Sequence, residues 1–217
     1  MPGPGHTLLI TGFDPFDGAV LNPSWQAAQA LDGRILAGHR VVAAQLPTVF
    51  GQALPRLDTL LSQHRPVMVV CLGLAQTRRA ISLERIAINV DDARIPDNAG
   101  RQPVDQPVVP GGPAAYFSTL PIKAMLHALT QAGIPAEVSQ TAGTFVCNHV
   151  FYGLMHRLAT TRLTPPARGG FIHVPPLADA GLSTGMPLAT LVAGLDLALS
   201  TALRQGGDMQ LGAGAVD

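Results

Sequence analysis

"TLLITGFDPFDGAVLNPSWQAAQALDG", residues 7–33, holds one complete strand-to-helix unit. "TLLITG" (7–12) is a short apolar run closed by glycine, the pattern of a buried strand. Asn22 can cap a helix with its side-chain oxygen, Pro23 suits the first helical position, and Gly33 suits the stop. The same order recurs along the chain. "RVVAAQLP" (40–47) and "PVMVVCLGL" (66–74) read as strands on either side of the helical "FGQALPRLDTLLSQH" (50–64), where Pro55 predicts a kink or a later start. "AISLERIAINV" (80–90) alternates with period two. "LPIKAMLHALTQAG" (120–133) reads as a helix closed by Gly133, "IPAEVS" (134–139) as a strand, and "NHVFYGLMHRLA" (148–159) as the body of a further helix. "GGFIHVP" (169–175) is a strand and "PLATLVAGLDLALSTALRQ" (187–205) a long last helix. Strands alternating with helices predict an α/β fold, a single-domain α/β/α sandwich around a mostly parallel, twisted central sheet.

The 217 residues are 47% hydrophobic and 13% charged, enough for a sizeable core and against wholesale disorder. One domain is expected over residues 1–205, followed by a Gly-rich tail, "GGDMQLGAGAVD" (206–217), expected to be mobile. Acids and Lys plus Arg balance at 14 each, without a block of like charge, so neither nucleic acid nor an anionic membrane is an expected partner. The near-neutral surface is compatible with self-association. "MPGPGHTLLITGFDPF" lacks a basic n-region and a full h-region, and no stretch approaches the about 18 apolar residues of a membrane span. Cys71 and Cys147 are therefore expected reduced, in the cytoplasm. Residues 91–117 form a long connection rich in Pro, Gly and Asp, read as a lid or an oligomer contact.

"TAGTFVCNHVFYGLMH" (141–156) puts a lone cysteine where a turn becomes a helix. If Thr144 caps that helix, Cys147 falls in its first turn, where the dipole favours a thiolate and the backbone N–H is open to an oxyanion. A small buried residue is the competing reading, and the one that fits Cys71 within "VMVVCLG". A cysteine nucleophile needs a base, usually histidine. Of the seven histidines, His149 and His156 share a helix face near Cys147, but their spacing is poor for a metal site. His173 stands at the end of a strand before a proline pair, at the carboxyl edge where α/β sheets bind ligands. A hydrogen-bonded structural histidine is the alternative. Alternation sets Glu84 on the face of Ile86, Ile88 and Val90, where a carboxylate needs a partner. An imidazole would serve, and so would Arg78, Arg79 or Arg85.

These stretches, together with "TGFDPFDGAVLNPSW", "LPTVFG", "ISLERIAINVDDARIPDNAG", "AYFSTLPIKA", "TAGTFVCNHVFY" and "GFIHVP", resemble pyroglutamyl peptidase type I, the pyrrolidone-carboxylate cysteine peptidases. Six motifs in the family's order cover roughly residues 7–205. The resemblance implies a triad of Cys147 as nucleophile, His173 as base and acid, and Glu84 as orienting carboxylate. It implies Phe13 and Phe16 against a pyrrolidone ring with Asn22 close by, and Arg94 near the oxyanion. It further implies pyroglutamyl peptides as substrate, no metal or other cofactor, and a homo-oligomer, a tetramer or a dimer. Asp17 departs from the pattern, since many relatives carry glycine there. Two other readings are weighed beside it: a non-catalytic ligand- or peptide-binding protein, and a nucleoside-phosphorylase-like enzyme. The latter lacks a Gly-rich phosphate loop in this sequence.

Overall fold

The computed structural model describes residues 6–161, 166–178 and 185–214. The elements in chain order are β1 (Thr7–Phe13), α1 (Pro23–Leu31), β2 (Ile35–Leu36), β3 (His39–Leu46), α2 (Ala53–His64), β4 (Met68–Leu74), β5 (Ile81–Glu84) and β6 (Ile86–Ile88). They continue with β7 (Ala115–Phe117), α3 (Ile122–Gln131), β8 (Ala136–Ser139), α4 (Val146–Thr160), β9 (Arg168–Val174) and α5 (Leu188–Arg204). The main sheet runs β2-β3-β1-β4-β9-β5-β8. Its centre, β3-β1-β4-β9, is parallel, while β2 is antiparallel to β3, and β5 is antiparallel to β9.

Two apolar layers follow from the two faces of these strands. Leu8, Ile10, Val70, Leu72 and Ile172 point to one side, beneath α1, α3 and α5. Leu9, Val69, Cys71 and Phe171 point to the other, beneath α2 and α4. Near-continuous burial along β1, β4 and β9 is what parallel strands covered on both faces require. From β1 the chain passes to β3 on one side, then crosses to β4 on the other. The carboxyl ends of β1 and β4 therefore flank a switch point of the sheet, the usual crevice for a ligand.

Local signals set several boundaries. Asn22 Oδ1 accepts from the Ser24 N–H at 3.0 Å and the Ser24 hydroxyl at 2.8 Å, and Pro23 opens α1. Helix α2 begins at Ala53, so Pro55 lies in its first turn, where a missing N–H loses no helical bond. Gly12 lets α1 lie directly on β1, because a Cβ there would stand 2.6 Å from Ser24 backbone atoms.

The single strand expected over 80–90 is two strands. The chain leaves the main sheet at Arg85, whose N–H donates to Ser139 O and whose carbonyl accepts from Ser118 N–H. Strand β6 then pairs with β7 in a separate two-stranded sheet. Glu84 consequently shares a face with Ser82 and not with Ile86 and Ile88, and the period-two phase that singled it out does not continue past Arg85. The long connection after Asp91 is laced down by carboxylates. Asp97 accepts from the backbone N–H groups of Phe50, Ala99 and Arg101 at 2.8 Å each, and Asp14 accepts from the Asn98 side-chain amide at 3.3 Å.

The Gly-rich end has partners of its own. Pro121 offers α3 no side-chain cap, and the Asp208 carboxylate supplies one, accepting from the N–H groups of Lys123 and Ala124 at 3.0 Å. Lys123 Nζ donates to Leu211 O at 2.6 Å. Asp208→Ala is expected to lower stability by about 1 kcal/mol through the lost cap. A lower urea midpoint at unchanged slope is the readout, and an unchanged midpoint would leave the tail without a structural role.

Candidate active site

Helix α4 starts at Val146 with Phe145 in the cap position and no side-chain cap. Thr144 is not the cap; its hydroxyl donates to Asp92 O at 2.7 Å. The first turn of the helix closes with His149 N–H donating to Phe145 O at 3.1 Å. The Cys147 N–H therefore stays free of helical bonds, at the positive end of the helix. Asn148, one residue on, acts as a strand partner from a helix. Its oxygen accepts from Ile88 N–H at 3.0 Å and its amide donates to Ile88 O and Val90 O at 2.9 Å. This anchors the first turn of α4 against β6.

The Cys147 sulfur rests on Gly73 of β4. A Cβ at position 73 would lie 2.7 Å from Sγ and 2.7 Å from Phe171 Cζ. Gly73 is the register partner of His173 in the parallel pair β4–β9. Paired residues of adjacent parallel strands present the same face about 4.8 Å apart. Thiol and imidazole thus lie on one face, over the carboxyl ends of two adjacent central strands. Phe171, two residues back on the same face, packs its ring on His173 with centroids 4.9 Å apart.

Glu84 arrives from the other side. In the antiparallel pair β5–β9, Ser82 stands opposite His173, and Glu84 is the next residue on that face. His173 Nδ1 lies 2.7 Å from Glu84 Oε1, and both side chains are buried. Arg78 Nη1 donates to the same oxygen at 2.6 Å. Both partners weighed for this carboxylate, imidazole and guanidinium, hold it at once. Contact through Nδ1 leaves Nε2 of His173 for the sulfur side.

Burial pushes the Cys147 thiol up to about 12; the Glu84 charge adds to the rise and Arg78 opposes it. Burial of the sulfur thus favours the neutral thiol over the thiolate. Cys71, fully buried, is likewise pushed up to about 12 by burial.

Phe16 faces Phe145, ring centroids 6.2 Å apart, on a cavity of about 250 Å³ that Asp17, Asp92, Arg94 and Thr144 also line. Phe13 lies elsewhere, buried against Phe171 at 6.4 Å. The aromatic opposite Phe16 is accordingly Phe145, which the sequence reading did not single out, although it directly precedes the helix. Asn22 is buried, its oxygen on Ser24 and its amide on Asp14 O at 3.0 Å, so it shapes the loop bearing Phe16. Arg94 is exposed at the cavity rim. Asp17 has φ +53° and Gly18 +73°, a left-handed pair. Glycine suits such a backbone, and Asp is among the few residues that tolerate it. His149 bonds Asp91 at 2.8 Å and His156 bonds the Tyr116 hydroxyl at 3.0 Å. Among the described residues no group of three His, Cys, Asp or Glu stands where one metal ion could be held.

A family profile described as "Pyroglutamyl peptidase" matches residues 6–205. The chain belongs to this family. It is 58% identical over 208 residues to a pyrrolidone-carboxylate peptidase 1 of Ralstonia nicotianae, covering 94% of this chain and 96% of that one. It is 56% identical over 212 residues to a pyrrolidone-carboxylate peptidase of Klebsiella pneumoniae, with 96% and 98% covered. The crystal structure of pyroglutamyl peptidase I from Bacillus amyloliquefaciens superposes with a TM-score of 0.91 at 44% identity, over 96% of this chain and 100% of that chain. The fold is thus that of a family of cysteine peptidases.

Gly73→Ala is expected to lower kcat at least about tenfold with the fold retained, since the added methyl displaces the sulfur or the Phe171 ring. Unchanged kcat would remove the sulfur from its place over β4. Alkylation by iodoacetamide is expected at Cys147 and not at Cys71, its rate rising roughly tenfold per pH unit from about pH 6 to 9, as for a neutral thiol. A plateau below pH 7 would instead indicate a preformed thiolate.

Proposed function

We propose that this chain hydrolyses the amide bond after an N-terminal pyroglutamyl residue of peptides, through a thioester on Cys147. The observation that supports the reading is the placement of three residues from distant parts of the chain on one face of the sheet: Cys147 Sγ over Gly73, His173 paired with Gly73, and Glu84 on His173 Nδ1. His173 Nε2 takes the thiol proton as sulfur attacks the carbonyl carbon that follows the lactam ring. The tetrahedral oxyanion accepts from the Cys147 N–H, with the Arg94 guanidinium as second donor from the rim. Collapse breaks the C–N bond, and the imidazolium gives its proton to the leaving amine. Water, deprotonated by His173, then hydrolyses the thioester and restores the thiol. Glu84 orients the ring and stabilises its charged form.

A pyroglutamyl terminus has no free amine, so an anionic clamp has nothing to hold. It offers a small, flat, uncharged lactam, and an aromatic-lined slot with a few polar groups fits such a ring. Phe16 and Phe145 form that slot, and Asn22 holds the loop that bears Phe16. No step calls for a metal or an organic cofactor. We further propose that residues 1–205 act as one peptidase domain, that the enzyme works in the cytoplasm as a dimer or tetramer, and that neither membrane nor nucleic acid is a partner. A non-catalytic binding protein or a phosphorylase on this sheet would leave pyroglutamyl amides uncleaved in the absence of phosphate.

Cys147→Ala is expected to reduce release of a fluorescent amine from its pyroglutamyl amide by at least about 10⁴-fold. Cys71→Ser should leave turnover largely intact. Near-wild-type turnover by Cys147→Ala would end the mechanism, and loss confined to the Cys71 variant would exchange the roles of the two thiols.

A further inference from the structure

Arg78 sits in the connection between β4 and β5, its N–H closing a turn on Ala75 O at 3.1 Å. Its side chain is mostly covered, whereas its neighbour Arg79 is exposed. The guanidinium does not lie as a fork on one carboxylate. Nη1 donates to Glu84 Oε1 at 2.6 Å, and Nη2 donates to Thr141 O at 2.8 Å. Thr141 belongs to the turn that launches α4, where Ser139 Oγ also holds it by donating to the Thr141 carbonyl at 3.0 Å. One planar group therefore ties the carboxylate behind His173 to the segment that presents Cys147.

The sharing of Oε1 matters as much as the bridge. His173 Nδ1 and Arg78 Nη1 converge on that oxygen, while Glu84 Oε2 is buried without a hydrogen-bond partner among the described residues. Without Arg78 the carboxylate would be free to turn toward other partners, and the imidazole would lose its fixed reference. Charge follows the same line. The ionisable groups around the imidazole are Glu84 of β5, Arg78, Cys147 of α4 and Cys71 of β4. Glu137 of β8 accepts from Ser82 Oγ at 2.7 Å, opposite His173. Arg78 is the one cation among them and offsets the carboxylate that would otherwise favour imidazolium.

We propose that Arg78 is a positioning residue for the acyl transfer, clamping Glu84 to the turn before Cys147. The proposal rests on the peptidase reading above. Removal of the cation leaves Glu84 uncompensated and removes repulsion of imidazolium. Both changes stabilise the protonated ring, so its titration moves up in pH.

The test compares kcat and KM for a pyroglutamyl amide against pH in the wild type, Arg78→Met, Arg78→Lys and Arg79→Met. Arg78→Met is expected to lower kcat about tenfold or more with KM little changed, and to move the acid limb of the profile up by about one pH unit. Arg78→Lys should return the limb to its wild-type place but recover only part of kcat, because an ammonium on a flexible stem cannot span both acceptors. Arg79→Met should match the wild type. An unmoved acid limb in Arg78→Met, with the loss of activity matching a loss of folded protein, would reduce Arg78 to a structural tether and overturn the proposal. If the wild type itself fails to turn over, the peptidase reading falls by itself. The His173 imidazole titration by NMR then decides the role of Arg78: a rise in Arg78→Met supports it and no change refutes it.

Discussion

Glu84 is a carboxylate with no solvent contact, and the site is organised by what such a charge demands. Taking it out of water carries a penalty of several kcal/mol unless opposite charge and hydrogen bonds compensate. Only groups reaching one point from different parts of the chain can do so. Arg78 comes from the β4–β5 connection and His173 from β9, and Arg78 carries the tie onward to the turn before α4. The antiparallel placement of β5 beside β9 makes this possible by setting Ser82 across from His173 and Glu84 one step further on the same face. An electrostatic requirement at one residue therefore fixes the relative position of three segments.

The N-terminus of α4 makes the complementary concession. Helix α1 is closed by Asn22 and α3 by the distant Asp208, but α4 has Phe145 in its cap position and no side-chain acceptor there. Omitting a cap costs about 1 kcal/mol. What it leaves is a free donor at Cys147 beside the aromatic wall that Phe145 forms with Phe16. Stability is recovered alongside, where Asn148 binds β6 and Val146, Val150 and Phe151 are buried. Trading stability for an open binding group is a familiar pattern at functional sites.

What the sequence discloses follows the range of the interactions concerned. The start of α1 was legible because an Asn-Pro cap is local, and so were the apolar runs of β1, β4 and β9. The split of 80–90 was not: alternation reports which face a residue takes within a sheet, and nothing in "LERIAI" signals that the chain changes sheets at Arg85. Cys147 and His173 stood out because a helix start and a strand end are themselves chemical positions. Gly73, Phe145, Asn148 and the two-pronged bond of Arg78 did not, since each acquires meaning only from a partner in another element. Glycine at the end of a buried strand hints at close approach, without saying what approaches. The 91–117 connection reads in sequence as a lid or an oligomer contact because its Pro, Gly and Asp content marks a long loop. Its Asp97 is buried as an acceptor for three backbone N–H groups, which composition cannot distinguish from a surface charge.

The state of the thiol joins these strands of reasoning. A sulfur pressed against β4 between Gly73 and Phe171 lacks the hydration that a resting thiolate needs, and the Glu84 charge nearby works against one too. In the proposed mechanism, negative charge passes from sulfur to an oxygen facing the free Cys147 N–H as the carbonyl is attacked, and Glu84 supports the imidazolium through Nδ1. On that reading charge separation falls at the moment at which the surrounding dipoles stabilise it.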